Sequence, residues 1–156
     1  MPRETSYRFW VFIGILAFLH FALHVGFGLE TEAPDLLAVA TLFGSRRLRG
    51  AAAALLGFGL GLLEDALAIT HFGASAVALA VVAFVGARSR DLFEGDSFLF
   101  IAVYLFLGKW LRDAVHVALT GQEWSLLLTS SSVAALYAAA AGLVAIGIYR
   151  GVTGES

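Results

Sequence analysis

The sequence lacks cysteine and has few charged residues. No cysteine occurs among the 156 residues, which excludes a disulfide framework, a zinc ribbon and a thiol nucleophile. Asp, Glu, Lys and Arg together make up 14% of the chain, against about 25% in an average soluble domain. The net charge of −2 provides no basic surface of the kind that binds nucleic acid. These absences argue against a soluble globular domain, a disordered protein and a nucleic-acid-binding protein.

Apolar residues are what the sequence has in excess. They make up 60% of the chain, and the mean hydropathy is +0.86. A short chain buries a smaller fraction of its surface than a long one, so this composition does not suit a water-soluble fold of this size. The sequence therefore predicts an all-α polytopic membrane protein, with a single integral membrane domain over residues 1–156 in contact with membrane lipid.

Six apolar segments separated by polar breaks predict six transmembrane helices. A membrane span needs roughly 20 apolar residues to cross about 30 Å of hydrocarbon. The second and fourth segments are short, and the second is either a half-helix packed among its neighbours or a tilted helix that uses flanking residues. The first segment is longer than the apolar region of a secretory signal and is interpreted as a retained span. The predicted spans are residues 9–29, 34–43, 51–70, 73–87, 97–119 and 126–149.

The cations outside these spans fall on one side of the membrane. Eight of the ten lie before the first span, after the sixth, or in the loops that follow even-numbered spans: Arg3, Arg8, Arg46, Arg47, Arg49, Arg88, Arg90 and Arg150. The opposite loops contain no Lys or Arg and hold Glu30, Glu32, Asp35, His71 and Glu123. The positive-inside rule then predicts cytoplasmic N- and C-termini, and it favours a true crossing by the short second span.

The two remaining cations lie within the fifth span, and an acidic pair lies within the third. A charge at the centre of a membrane helix costs about 2.5–3.5 kcal/mol, so such groups are expected to pair and to face protein or water. We expect spans three and five to be neighbours, joined either by a structural clamp or by groups of an ion or proton pathway. Lys109 and Asp113 are four residues apart, as are Arg112 and His116, so each pair can meet on one helix face. The predicted buried polar cluster consists of Glu64, Asp65, Lys109, Arg112, Asp113 and His116.

Histidine and serine residues in the spans raise two other kinds of site. His20 and His24 are four residues apart, which supplies half of a tetrahedral metal site or two interhelical hydrogen bonds. Ser130, Ser131 and Ser132 lack the Gly-x-Ser-x-Gly sequence of a nucleophile elbow. We therefore expect no cofactor and no enzymatic activity.

The third span is rich in glycine. Gly57 and Gly61 form a GxxxG pair, and small residues at this spacing let another helix backbone approach closely. The pair serves either packing inside the protein or an interface between subunits. Gly73 lies in the turn that follows, and all three glycines are predicted helix-packing residues.

Residues 57–67 together with residues 72–79 are similar to the MreD family of bacterial rod-shape-determining membrane proteins. In that family a Gly-rich helix ends in a Leu-Leu-x-Asp step, and a short turn with glycine leads into a small apolar helix. Asp65 matches the acidic position, and Gly61 and Gly73 match the glycines. A short second span beginning at Pro34 and followed by a basic loop also fits, and the resemblance covers roughly residues 9–90.

The resemblance implies a non-enzymatic subunit of the cell-elongation complex in the bacterial inner membrane. Such a subunit helps control cell shape and lateral peptidoglycan synthesis. Its implied partners are an MreC-like protein, the actin-like MreB, and a peptidoglycan synthase pair of a glycosyltransferase and a penicillin-binding protein. The implied fold is a bundle similar to the substrate-binding components of energy-coupling-factor transporters. That likeness supplies the alternative function, a small-molecule or ion transporter subunit.

Overall fold

The computed structural model describes residues 7–27, 33–67, 71–89 and 97–154. These residues form helices and contain no strand, which confirms the predicted all-α class. The sequence predictions that concern Arg3, Glu30, Glu32 and Arg90 lie outside the described residues. The same applies to the ends of the first and third predicted spans, at residues 28–29 and 68–70.

The described residues form six helical segments. Two of these segments contain a π-helical turn, one at the end of the first and one near the start of the last. In chain order the elements are α1 (Tyr7–Phe21) continued by a π turn (Ala22–Gly26), α2 (Leu36–Ser45), α3 (Gly50–Leu67), α4 (Ala74–Ser89), α5 (Phe98–Thr120), α6 (Trp124–Leu126), a second π turn (Leu127–Ser131) and α7 (Ser132–Thr153). The helix α6, the second π turn and α7 run on without a break.

Three of the helical segments are long and apolar enough to cross a membrane. They cover Tyr7–Gly26, Gly50–Leu67 and Thr129–Thr153. The helices α2 and α4 are apolar but shorter, and α5 has 23 residues but carries three charged side chains within residues 109–113. Large apolar side chains such as Phe18 and Val152 point outward and are about three-quarters exposed. This composition and this outward-facing apolar surface are those of a membrane protein.

The short helix α2 lies at the centre of the bundle. Every residue from Leu36 to Ser45 is buried, and the helix packs against α1, α3, α4, α5 and α7. It begins where Pro34 and Asp35 precede the apolar run, and the Asp35 carboxylate accepts a hydrogen bond from the Ala38 N–H at 2.9 Å. Of the two interpretations left open by the sequence, α2 therefore matches the half-helix packed among its neighbours.

A cation surrounded by aromatic rings follows the C-terminal end of α2. The Arg47 guanidinium lies 5.2 Å from the ring centres of Phe43 and Tyr149 and 5.7 Å from that of Phe9. It also donates a hydrogen bond to the Tyr149 hydroxyl at 3.2 Å. Cation–π contacts of this kind keep a charged group favourable next to apolar surface. The contacts join the ends of α1, α2 and α7.

The helices α3 and α4 form the most closely packed pair in the fold. A Cβ atom at Gly61 would overlap the backbone of Ser75 and Ala76, and one at Gly57 would overlap the carbonyl of Leu79. The GxxxG pair therefore packs inside the protein, against α4. The turn between the two helices uses Gly73, whose φ of 95° lies in the left-handed region that favours glycine.

We predict that Gly61→Ala destabilises the protein by about 1–3 kcal/mol, because the added methyl meets backbone atoms that have no room to move. Gly59→Ala is the matched control on the same helix, since a Cβ there meets nothing within 4 Å. Thermal unfolding of the purified protein in detergent measures both variants. Equal stability of the two variants would show that α3 and α4 are not packed this closely.

Candidate functional site: charged cluster and polar cavity

Arg112 joins three helices through two carboxylates. Its guanidinium donates from Nη1 to Asp35 Oδ2, at the start of α2. Its Nη2 donates to both carboxylate oxygens of Glu64 on α3, at 2.5 and 2.6 Å. The predicted contact between spans three and five is therefore present, as the pair formed by Glu64 and Arg112. It is made by long side chains, since α3 packs mainly on α4 and α2.

Lys109 adds a second cation beside Asp35. Its ammonium donates to Asp113, four residues further along α5, and lies 3.4 Å from Asp35 Oδ2. Asp113 also approaches Arg112, with 3.9 Å between its Oδ1 and Nη1 of the guanidinium. The spacing of four residues on one helix thus forms the predicted pair between Lys109 and Asp113. We call Asp35, Glu64, Lys109, Arg112 and Asp113 the charged cluster.

Asp35 is the central member of the charged cluster, and sequence reasoning placed it in an acidic outer loop instead. One carboxylate oxygen caps α2 through Ala38 N–H, while the other faces both cations of the cluster. The residue is 7% exposed. A proline and an aspartate immediately before an apolar run are a helix-start signal, which places Asp35 against the bundle. That signal was available in the sequence, but it does not identify the partners on α5.

Asp65 lies apart from the charged cluster, contrary to the prediction that grouped it with the α5 cations. Its two oxygens accept hydrogen bonds from the backbone N–H groups of Gly73, Ser75 and Ala76, at 3.0, 3.1 and 2.9 Å. Successive helix residues point about 100° apart, so Glu64 and Asp65 face different neighbours. Asp65 therefore caps the start of α4 and fixes the hairpin between α3 and α4.

His116, the last predicted member, lies one turn beyond Arg112 on α5 and is partly buried. Its backbone carbonyl accepts a hydrogen bond from the Thr120 hydroxyl at 2.8 Å. No hydrogen bond joins its imidazole to Arg112 in the described part of the chain. The spacing of four residues therefore brings Arg112 and His116 near each other without pairing them.

The two histidines of the first helical segment stack on each other. Their ring centres are 4.0 Å apart, and His24 Nδ1 donates to the backbone carbonyl of His20 at 2.9 Å. His20 is 4% exposed, and its Nδ1 lies 3.8 Å from Asp35 Oδ1 without a hydrogen-bond partner. Within the described ranges, no three His, Asp or Glu side chains are arranged to hold a metal ion. The pair thus forms one wall of a site that also includes the charged cluster.

A cavity of about 360 Å³ lies beside the charged cluster. Its lining residues fall into two groups, which we call the polar wall and the mixed wall. The polar wall consists of His20, His24, Asp35, Glu64, Lys109 and Arg112. The mixed wall lies where the second π turn meets α7 and includes Ser131, Ala134 and Tyr137. The cavity therefore brings together residues from α1, the start of α2, α3, α5 and α7, which are far apart in sequence. We call it the polar cavity.

Comparison with known proteins finds no relative. No protein-family model, curated protein or solved structure matches the chain.

We predict that Arg112→Met destabilises the protein by about 3–5 kcal/mol, because it leaves buried carboxylates without their cation. Adding Glu64→Gln to this variant removes one of the unpaired negative charges and is expected to restore part of the lost stability. Arg49→Met is the control, since that cation is exposed. Urea or thermal unfolding in detergent measures all three. If Arg112→Met unfolds no more readily than Arg49→Met, the cluster does not clamp the helices.

We predict that Asp65→Ala destabilises the protein by about 1–3 kcal/mol, because three backbone N–H groups lose their acceptor. Asp65→Asn keeps one acceptor oxygen and has a smaller effect. Neutralising Lys109 on α5 does not rescue Asp65→Ala, because the two side chains belong to separate groups. If the double variant regains stability in the same unfolding experiment, Asp65 interacts with the charged cluster and the separation into two groups is wrong.

Proposed function

We propose that this protein is a non-enzymatic membrane subunit of the bacterial cell-elongation complex. The observation that carries the proposal is the hairpin of α3 and α4. Gly61, Asp65 and Gly73, which carry the resemblance to the MreD family, act there as one structural unit. Gly61 permits close contact, Gly73 makes the turn, and Asp65 caps the following helix. Together the three residues shape one hairpin. This shared structural role supports a resemblance to the family that goes beyond similar composition.

In this proposal the chain crosses the bacterial inner membrane six times, with both termini in the cytoplasm, and the helix α2 covers only part of the second crossing. The ten-residue helix α2 is about 15 Å long, half of the hydrocarbon thickness. With Arg47 at the cytoplasmic face, Asp35 then lies near the middle of the membrane. Lys109 and Arg112 lie near the middle of α5, at a matching depth. Paired charges and a polar cavity at that depth allow the short helix α2 to begin there without exposing the backbone of its first turn to lipid.

Partner binding is assigned to the outward-facing helix surfaces. The α1 and α7 helices carry exposed large apolar side chains, including Trp10, Phe18, Leu136 and Ile148. Such surfaces contact either lipid or the spans of other membrane proteins. The proposed partners are the MreC-like protein, the actin-like MreB, and the glycosyltransferase and penicillin-binding protein that together synthesise peptidoglycan.

The polar cavity favours a second candidate function, a membrane subunit of a small-molecule or ion transporter. Ligand cavities commonly measure about 300–1,000 Å³, and this one measures about 360 Å³. A cavity lined by ionisable groups at membrane depth is a frequent feature of transport proteins.

The two functions predict different partner proteins in native membranes. Purification of a tagged chain in mild detergent is expected to recover the peptidoglycan synthase pair and the MreC-like protein. Deletion of the gene is expected to convert rods into round cells. The control is reintroduction of the gene with Gly59→Ala. It is expected to restore rod shape, because a Cβ at position 59 meets nothing within 4 Å. Recovery of an ATPase pair, with no wall synthase and no change of cell shape, would reject the first function.

A further inference from the structure

A second cavity, of about 190 Å³, lies between α4 and α5 on the outside of the bundle. Its rim residues Val85 and Leu107 are 42% and 49% exposed, whereas Leu42 and Val82 at its base are 1% exposed. The cavity is therefore a groove that opens toward the surroundings of the bundle. We call it the apolar groove, and its lining includes Leu42, Val82, Val85, Gly86, Leu107 and Leu111.

The shape and lining of the apolar groove suit a hydrocarbon chain. Its lining extends from residue 82 to residue 89 on α4 and from residue 104 to residue 111 on α5, which is about 10 Å along each helix at 1.5 Å per residue. The two side-chain hydroxyls in the described lining already have partners. Ser89 donates to a carbonyl of its own helix, and Tyr104 donates to the Leu42 carbonyl of α2. The surface of the groove is therefore left to apolar contact.

A cation lies at one end of the apolar groove. The Arg46 guanidinium, which follows α2, is 5.8 Å from the ring centre of Tyr104 in the groove lining. The end of α2 also packs closely on α4, because a Cβ at Gly86 would lie 2.8 Å from Ser45 Oγ. Arg46 is thus placed where the end of α2 meets the last turns of α4 and the ring of Tyr104.

Other arginines increase the positive charge around this end of the groove. Arg49, which precedes α3, and Arg88, near the end of α4, are both exposed. In the sequence, residues 46–49 and 88–96 together contain five arginines and three acidic residues, although residues 90–96 lie outside the described part of the chain. The charge of this end is therefore positive on balance. Basic residues at a membrane surface attract anionic lipids.

We propose that the apolar groove binds an anionic phospholipid, with an acyl chain in the groove and the phosphate beside Arg46. A guanidinium forms strong charge-assisted hydrogen bonds with phosphate oxygens. An α-helix with its side chains is about 10–12 Å wide, so a groove of this volume admits a hydrocarbon chain and not the span of another protein. This inference requires only that the chain lies in a membrane, and it stands with either proposed function.

The test uses the purified full-length chain in an uncharged detergent. Native mass spectrometry measures the affinity for phosphatidylglycerol and for phosphatidylcholine with identical acyl chains, so that only the head group differs. Phosphatidylglycerol is expected to bind more tightly by about fivefold or more, the factor that one basic residue at a membrane surface provides. Glycerol 3-phosphate, which has the phosphate without acyl chains, is expected not to compete.

Two pairs of variants locate the lipid. Val85→Trp fills the mouth of the groove, and its control is Val77→Trp, on the same helix, equally exposed at 42% and outside the lining. Arg46→Gln removes the cation, and its control is Arg8→Gln, an exposed cation on α1. Val85→Trp is expected to weaken the binding of both lipids. Arg46→Gln is expected to weaken phosphatidylglycerol alone, by about fivefold. Both controls are expected to bind like the natural sequence.

A cross-linking experiment in native membranes identifies the occupant directly. A photoreactive amino acid at position 107, on the rim of the groove, is expected to form an adduct with the mass of a phospholipid. An adduct with a polypeptide would instead assign the groove to the span of another protein and overturn the proposal.

Three results of the binding experiment would also overturn the proposal. The first is equal affinity for the two lipids, which would leave Arg46 without a role in binding. The second is phosphatidylglycerol binding that Val85→Trp leaves unchanged, which would place the lipid outside the groove. The third is the absence of any lipid binding. Cell shape and co-purification with the wall synthases are separate measurements, so failure here is distinguishable from failure of the proposed function.

Discussion

The two carboxylate oxygens of Asp35 make different contacts, and the rest of the bundle depends on both. One oxygen completes the first turn of α2, and the other neutralises cations delivered by α5. Burying two cations and three carboxylates among apolar helices is unfavourable unless each finds a partner. The pairing through Asp35, Glu64 and Asp113 meets that condition. The position of α5 relative to α2 and α3 therefore follows from the location of opposite charges as much as from apolar packing.

Two different kinds of contact hold the bundle together, and they act at different places. The α3 and α4 helices join through backbone proximity, which glycine permits and Asp65 fixes at the turn. The α2 and α5 helices join through ionisable side chains. In lipid, apolar side chains gain little by leaving the solvent, so close packing and polar contacts determine which helices associate. Close backbone packing thus joins two helices that are adjacent in sequence, and charged side chains join helices that are distant in sequence.

Local patterns in the sequence were sufficient to predict the helices and some of their contacts. Spacing of four residues identified the pair formed by Lys109 and Asp113, and the excess charge of span five required a partner such as Glu64. Spacing alone did not separate the roles of Glu64 and Asp65, because adjacent residues diverge in direction around a helix. The full lining of the polar cavity could not be derived from the sequence, since it depends on five stretches of chain meeting in space.

The complete enclosure of α2 by other helices has a consequence for how this protein is made. A ten-residue segment is too short to partition into lipid by itself as a spanning helix. Its surroundings are completed only by α3, α4, α5 and α7, all of which leave the ribosome later. Until α5 arrives, Asp35 lacks its cations. The short helix therefore reaches its final surroundings late in synthesis, when the later helices close around it.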